Sequence, residues 1–127
     1  MGSPAAKQGD AINAVDTHDI INSSGTKVPT PHPFSGTIDG GLCDSVLIMG
    51  MPAATVDSTA TNSPPHTPQG GSFESPPDNA ATIVSGSSTV NIGGKPAARD
   101  GDSADTCDDL GTPQGGTVSA GGSVLIG

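Results

Sequence analysis

Val46-Leu-Ile-Met-Gly-Met-Pro-Ala-Ala54 indicates a repeat architecture, because related copies of it occur elsewhere in the chain. A second copy ends in Gly94-Lys-Pro-Ala-Ala-Arg99. A third is divided between the two ends, where Val124-Leu-Ile-Gly127 followed by Met1-Gly-Ser-Pro-Ala-Ala6 reproduces the pattern. Self-similarity of this kind is typical of repeat architectures. The copies predict three repeats whose series closes across the termini.

Each Pro-Ala-Ala segment is preceded by a β-prone segment. Residues 35–49, 79–93 and 116–127 each contain two β-prone runs around a Gly/Ser turn, which predicts a β-hairpin. Pro4, Pro52 and Pro96 mark repeats of 48, 44 and, counted through the termini, 35 residues. We expect an all-β, loop-rich, closed cone of three pseudo-three-fold hairpin repeats with adjacent termini, in which neighbours cover each other's edges. The competing interpretation is coincidental similarity among Gly/Ala/Pro-rich segments.

The composition by itself favours disorder. The chain has 19 Gly, 12 Pro, two Phe, and neither Trp nor Tyr, which leaves little apolar mass for a core. We expect one domain over residues 1–127, in which something other than a core ties the loops together. A disordered adaptor is the alternative, but it does not predict cyclic repeats.

The charge balance excludes several partners. Thirteen acidic against four basic residues give a net charge of −9, so the cationic footprint that binds phosphates is missing. Neither nucleic acid nor an anionic membrane is expected as a binding partner. The first ten residues lack the basic and apolar regions of a secretory signal, and no run of about 18 apolar residues occurs. We expect assembly in the cytoplasm.

Four metal-ligand candidates lie in polar stretches between a Pro-Ala-Ala segment and the next hairpin: His18, His32, His66 and Cys107. The stretch Asp16-Thr-His-Asp19 matches Asp105-Thr-Cys-Asp108. Repeats arranged about an axis would bring all four candidates to one end. Three imidazoles and one thiolate form a complete tetrahedral set that suits Zn²⁺ and leaves no open position.

Such a zinc would be structural, one per chain, and would pin the cone by cross-linking loops that have no apolar reason to meet. Spacing alone does not distinguish zinc from iron. The rival interpretation is ordinary surface histidines with a buried thiol. Cys43 lies outside the loop series and is expected to be free or packed, while a disulfide with Cys107 would require an oxidising compartment.

Lys95-Pro-Ala-Ala-Arg-Asp-Gly-Asp102 resembles the signature of the PAAR-repeat proteins, with weaker copies at residues 4–10 and 52–57. Histidines in successive loops, a late cysteine and a terminal Val-Leu-Ile-Gly extend the resemblance over essentially the whole chain. The middle copy departs from the pattern, because Thr55-Val-Asp57 replaces the Gly-Asp ending.

The resemblance implies a sharp conical tip on a trimeric β-helical spike of the VgrG type, with one tip per trimer. Such tips serve type VI secretion systems and related phage-tail-like injection particles, which drive spike and tip through a target membrane and can carry effector proteins. The zinc ligands of the family map onto His18, His32, His66 and Cys107. We expect no effector extension beyond the tip, and injection of the tip together with the apparatus.

Two further expectations concern the base of the cone. The small Pro-Ala-Ala residues allow close packing at an axis or against a partner, although a tight turn needed only for folding is the alternative. The terminal hairpin strands could continue the strands of the spike by β-augmentation. Their candidate contact residues are Val46, Ile48, Val90, Ile92, Val124 and Ile126.

An enzymatic interpretation would take His18 or His66 as a base and Cys107 as a nucleophile in a small metallo-hydrolase. We expect no enzyme, because a closed zinc site uses these side chains and the chain is poor in the aromatic residues that line ligand pockets. A zinc-binding adaptor of another phage-tail-like particle, from a phage or an extracellular injection system, is the nearer alternative.

Overall fold

The structure, a computed structural model, describes residues 2–109 and 115–127, which contain thirteen β-strands and no helix. Among these residues, therefore, no helix exists that could cross a membrane. In chain order the strands are β1 (Ser3–Pro4), β2 (Ala11–Ile21), β3 (Lys27–Gly40), β4 (Cys43–Ile48), β5 (Met51–Ala53), β6 (Thr59–Asn62), β7 (Ser72–Phe73), β8 (Ala80–Ile83), β9 (Asn91–Ile92), β10 (Lys95–Pro96), β11 (Ser103–Asp105), β12 (Gly116–Ser119) and β13 (Leu125–Ile126).

Six strands close into an antiparallel barrel. The large sheet has the order β12-β11-β8-β6-β3-β2-β7, and β12 also pairs with the first three residues of β2. Strand β7 lies outside this ring, against Ile20 and Ile21 at the far end of β2. In the closed part of the barrel each of the six strands pairs on both sides. No strand edge is free there for edge-to-edge aggregation.

Each repeat supplies two barrel strands followed by a small hairpin at one end of the barrel. The hairpins are β4–β5, β9–β10 and, across the chain ends, β13–β1. In the last of these Ser3 pairs with Ile126 and Pro4 with Leu125. The predicted all-β fold of three hairpin repeats, closed and with adjacent termini, is confirmed.

The strands within each repeat pair differently from the prediction. Residues 35–49 were expected to form one hairpin, but β3 pairs with β2 and β6, whereas β4 pairs with β5. The hairpin turn falls instead at Met49 and Gly50, which both have positive φ angles, of 52° and 83°. The Gly-rich segment that was interpreted as the turn is the crossing from the barrel wall to the base.

The Pro-Ala-Ala segments meet at the axis in a ring of three backbone hydrogen bonds. Ala6 N–H donates to the Ala98 carbonyl (2.9 Å), Ala98 to Ala54 (3.0 Å) and Ala54 to Ala6 (3.1 Å). All three side chains are fully buried, as are those of the alanines before them. A larger side chain at any of these positions would overpack the axis. Close packing at the axis, one of the two predicted roles, is therefore what these segments do.

A carboxylate closes the turn after two of these segments. The backbone N–H of Lys7 donates to Asp10 (3.0 Å) and that of Arg99 to Asp102 (2.7 Å). In both cases the cationic side chain also pairs with the same carboxylate, at 3.0 and 2.8 Å. Each pair ties one turn to itself by a charge-assisted hydrogen bond.

The middle repeat reaches the same turn with neutral residues. Thr55 N–H donates to the Ser58 hydroxyl (2.9 Å), so Ser58 replaces the carboxylate. Asp57 has a φ of 77°, close to the 88° of Gly101 at the corresponding position. The departure seen in the sequence therefore preserves the backbone, at the cost of a left-handed conformation that aspartate tolerates better than most residues.

A circularly permuted chain tests the ring. Joining Gly127 to Met1 through a short Gly/Ser linker, and opening the chain in the exposed turn at Ser24, should leave the melting temperature within a few degrees of the wild type. The reason is that β13 and β1 are already paired. A matched permutant opened between Ala53 and Ala54 breaks the axis and should not fold. Thermal melts followed by circular dichroism compare the two, and equal behaviour would contradict the ring.

Candidate metal centre

Strands β2 and β3 extend beyond the barrel as a two-stranded arm that carries most of the site. Alternate side chains point inward, so Asp16 and His18 on β2 and His32 and Phe34 on β3 are all buried. Asp16 and His32 are directly opposite each other in the register. The histidines were expected in loops, but His18 and His32 lie on regular strands.

The prolines of β3 concealed the strand in the sequence. Pro29, Pro31 and Pro33 occupy alternate positions, all paired with β2 and all in the part of β3 where β6 does not reach. A strand with one neighbour tolerates residues without an N–H when those positions face the open side. The same residues make this open edge a poor template for another strand.

His66 is held by a pair of asparagines at the end of the barrel. Its backbone N–H donates to Asn79 Oδ1 (2.8 Å), which also accepts from Asn62 Nδ2 (3.1 Å). Asn62 in turn accepts from the Ser35 N–H (2.9 Å), which ties the loop to β3. The long segment between β6 and β8, which contains β7, thus starts at a fixed position.

Cys107 is placed by backbone contacts with β2. The Asp109 N–H donates to the Thr17 carbonyl (2.9 Å), and Asp19 N–H donates back to Asp109 Oδ2 (2.9 Å). Residues 106–109 therefore run beside β2, and Cys107 Sγ comes within 3.7 Å of His18 Nε2.

The ligand-capable atoms of four side chains from three repeats converge here. They belong to Asp16, His18, His66 and Cys107, and all lie within 4.8 Å of one another. Three of these residues were predicted as ligands, whereas Asp16 was not. A set of carboxylate, imidazole and thiolate donors at such distances fits a transition metal such as zinc.

His32, the fourth predicted ligand, is not one of those four but lies against them. Its ring centroid is 5.5 Å from that of His18 and 5.6 Å from that of His66. Nδ1 lies 2.9 Å from the Thr30 carbonyl, so Nδ1 carries the proton and Nε2 has a free lone pair. Nε2 is buried without a hydrogen-bond partner, which is costly unless a metal uses it.

Asp16 links the other residues of the centre through its carboxylate. Oδ2 lies 3.0 Å from His66 Nε2 and accepts from Cys107 Sγ at 3.3 Å, while Oδ1 accepts from the Thr106 hydroxyl. One carboxylate of the first repeat therefore holds the second and third repeats together. These contacts hold donor side chains from the three repeats close together.

Aspartate and aromatic side chains complete the surroundings. His18 Nδ1 is 3.1 Å from Asp109 Oδ1, an ion-pair distance at an angle unsuited to a hydrogen bond. The Phe73 ring is 5.6 Å from that of His18, and the Phe34 ring is 6.0 Å from that of His66. Both phenylalanines of the chain thus enclose the histidines.

Cys43 does not belong to this cluster and packs against the apolar cluster of the base hairpins. Its sulfur contacts the Ser45 hydroxyl at 3.2 Å, just as Ser87 contacts Thr89 at 3.2 Å in the second repeat. The hydrogen bond with Ser45 lowers the pKa of the Cys43 thiol. Both cysteines are free, so the prediction of a free or packed Cys43 is confirmed and the disulfide alternative is wrong.

Sequence reasoning missed Asp16, Phe73 and Asp109. The signal for Asp16 was present, because Asp16 and His18 are two residues apart and share one face of any strand. It was overlooked because the segment was interpreted as a loop. Phe73 and Asp109 come from segments without periodicity, and only the tertiary fold brings them to the site.

The fold and the site together define a class: a small, closed, three-fold β-protein with a buried metal-ligand cluster at one end. The family model described as PAAR motif matches residues 25–110. This chain belongs to the PAAR family. A comparison with curated protein sequences found no match.

Proton release on metal binding tests the environment of Cys107. Burial, and then the hydrogen bond to Asp16, raise the pKa of this thiol from 9.0 to about 12. The thiol therefore stays protonated at pH 9, and metal binding as thiolate must expel about one proton there. An ordinary thiol of pKa 9.0 would release about half a proton at this pH. Zinc titration at pH 9 in weak buffer, read by a pH-stat, measures the difference.

The control for this measurement is Asp16→Asn, which removes one cause of the raised pKa. It should release less than the wild type at pH 9, whereas Cys107→Ala should release nothing from this position. Equal proton release by all three proteins would show that Cys107 does not bind the metal.

Proposed function

We propose that this protein is the structural tip of a contractile injection apparatus, where it caps a trimeric spike of the VgrG type. The observation that carries the proposal is the three-fold ring of base hairpins, which presents one small β-hairpin per repeat at the same end of the barrel. A pseudo-three-fold surface can meet each chain of a trimer in an equivalent way. The family membership supports the same function.

The exposed apolar side chains support the base as the contact surface. Leu47 is 60% exposed, Met49 55% and Leu125 58%, and all three lie on or beside the hairpins β4–β5 and β13–β1. Val124 and Met51 are also exposed. Exposed apolar residues clustered at one end of a small acidic protein mark an interaction site. We call these five residues the base patch.

The spike-facing residues predicted from the sequence divide into two groups. Ile48 and Ile92 are buried and pack with the alanines of the axis in a second apolar cluster. Val46, Val90 and Ile126 are half-buried against that cluster, and Val124 is exposed. Most of these six therefore support the hairpins, and their direct contact with a spike stays a prediction. The base patch is the better candidate for the contact.

At the opposite end we propose one zinc ion held by His18, His32, His66 and Cys107. The unpartnered Nε2 of His32 favours this set over one in which Asp16 is the fourth ligand. Zinc prefers closed tetrahedral coordination by nitrogen and sulfur in structural sites, and here it would join all three repeats. The role of the metal is to hold the arm and two loops rigid, which suits a tip that punctures a membrane.

A metallo-hydrolase is the second candidate, because a cavity of about 240 Å³ lies against His32 and His66. Hydrolysis requires a water on the metal, and four protein ligands leave no such position. We therefore propose a non-enzymatic protein, assembled in the cytoplasm and injected with its spike. An adaptor of another phage-tail-like particle would use the same two ends.

Ligand substitutions test the zinc site. Cys107→Ala or His66→Ala should reduce zinc from about one per chain and lower the melting temperature by roughly 10 °C, since zinc stabilises the folded state by about 2–3 kcal/mol. Cys43→Ala is the matched control and should retain zinc. Metal analysis of purified protein with thermal melts gives both values. An unchanged zinc content in the ligand variants would refute the assignment.

The fourth ligand has its own test. If His32 is the ligand, His32→Ala should lose zinc as Cys107→Ala does, because three remaining ligands hold the ion weakly. If zinc content and affinity are retained in His32→Ala, the fourth ligand is Asp16 instead.

Binding to the cognate spike tests the function. The purified tip and the spike trimer should co-elute at one tip per three spike chains, measured by size exclusion with light scattering. Leu47→Asp and Leu125→Asp should weaken this complex about tenfold or more by placing a charge in the base patch. Val15→Asp, on the exposed outer face of β2, is the control. A wild-type tip that does not co-elute would refute the proposal.

A further inference from the structure

We propose that Asp16 is the charge-balancing residue of the metal centre and makes it selective for divalent ions. A divalent ion, the Cys107 thiolate and the Asp16 carboxylate together carry no net charge. This inference rests on the metal site proposed above and concerns a residue that the predicted ligand set does not contain.

Asp16 is a buried carboxylate that pairs with no lysine or arginine. Its side chain is 1% exposed, and burying an unpaired charge is costly. All four Lys and Arg of the chain lie in the described part, and each pairs with a carboxylate other than Asp16. The ionisable groups within reach are the His18 and His66 rings and the Cys107 thiol.

None of these groups can supply the missing positive charge while serving the metal. A thiol carries none, and either histidine would need a proton on both ring nitrogens, which removes the lone pair that a metal requires. In the metal-bound centre, the positive charge beside Asp16 would therefore be that of the ion. The donor atoms of Asp16 lie within 4.8 Å of the other three, close enough for a strong electrostatic effect in a buried environment.

The charge of the bound ion decides whether Asp16 helps. With Zn²⁺ and one thiolate, the centre has a charge of +1, which the carboxylate cancels. With Cu⁺ and one thiolate, the centre is already neutral, and the carboxylate makes it negative. Both ions accept imidazole and thiolate ligands, so ligand type alone discriminates poorly between them. Asp16 therefore favours the divalent ion.

The test is Asp16→Asn, which keeps the shape of the side chain and removes its charge. Zinc affinity should fall by about 10- to 100-fold, the usual effect of losing a residue that orients and tunes metal ligands. Copper(I) affinity should stay unchanged or rise. Both are measured on the full chain by competition with chromophoric chelators, anaerobically for copper. The ratio of the two affinities is a readout that a purely structural role would not change.

Two further variants complete the design. Asp19→Asn is the matched control, because Asp19 lies on the same strand, is partly exposed and lies 4.0 Å from Lys27. It should leave both affinities unchanged. Asp16→Glu retains the charge and should keep the wild-type ratio of zinc to copper affinity, so it decides the matter if Asp16→Asn does not fold.

The contrary outcomes are distinct. An equal loss of zinc and copper affinity in Asp16→Asn would mean that Asp16 only orders the loop through Thr106, and would overturn the charge role. Unchanged zinc affinity would place Asp16 outside the centre. A wild-type protein that binds neither ion would remove the proposed metal site itself, which the other two outcomes leave intact.

Discussion

The ring of three backbone hydrogen bonds between Ala6, Ala54 and Ala98 joins the three repeats into one fold. Each repeat donates to one neighbour and accepts from the other, so no repeat is complete alone. The second alanine of each segment belongs to the barrel core and the first to the base cluster. The Pro-Ala-Ala segments thus form the layer between two small cores. Only residues of this size allow three backbones to meet there.

Because both cores are small, the far end of the barrel has little apolar support. The barrel core consists of three Ile, one Val and one Phe side chain with several alanines. Beyond it, the loop carrying His66 and the segment carrying Cys107 have few backbone pairs with the arm. Polar contacts replace the core, and the Asp16 carboxylate joins all three repeats. A metal bound there would strengthen the contacts that Asp16 already makes between the repeats. The same donor side chains therefore hold the far end of the barrel together and form the candidate metal site.

The closed three-fold fold could be predicted from the sequence because the repeats continue across the termini, which few other architectures allow. The pairing of strands could not, since the Gly40-Gly41 segment has the composition of a turn but connects two layers. Three of the four clustered donors were predicted from their order in the repeats, because equivalent positions around an axis converge. Asp16 was missed since Pro29, Pro31 and Pro33 made the arm resemble a loop, and strand alternation was not applied there. Phe73 depends on a two-residue strand that has no signature in the sequence.

A three-fold scaffold offers ligands in threes, whereas a tetrahedral metal needs four. One repeat must therefore supply two ligands, and the simplest way is a pair of adjacent strands with inward side chains at matching heights. The arm meets this need, because β2 and β3 run for 11 and 14 residues while the other barrel strands have three or four. In its register Asp16 lies opposite His32, with His18 next along the same face. The long strands of the first repeat thus provide the second ligand that the proposed tetrahedral site would require.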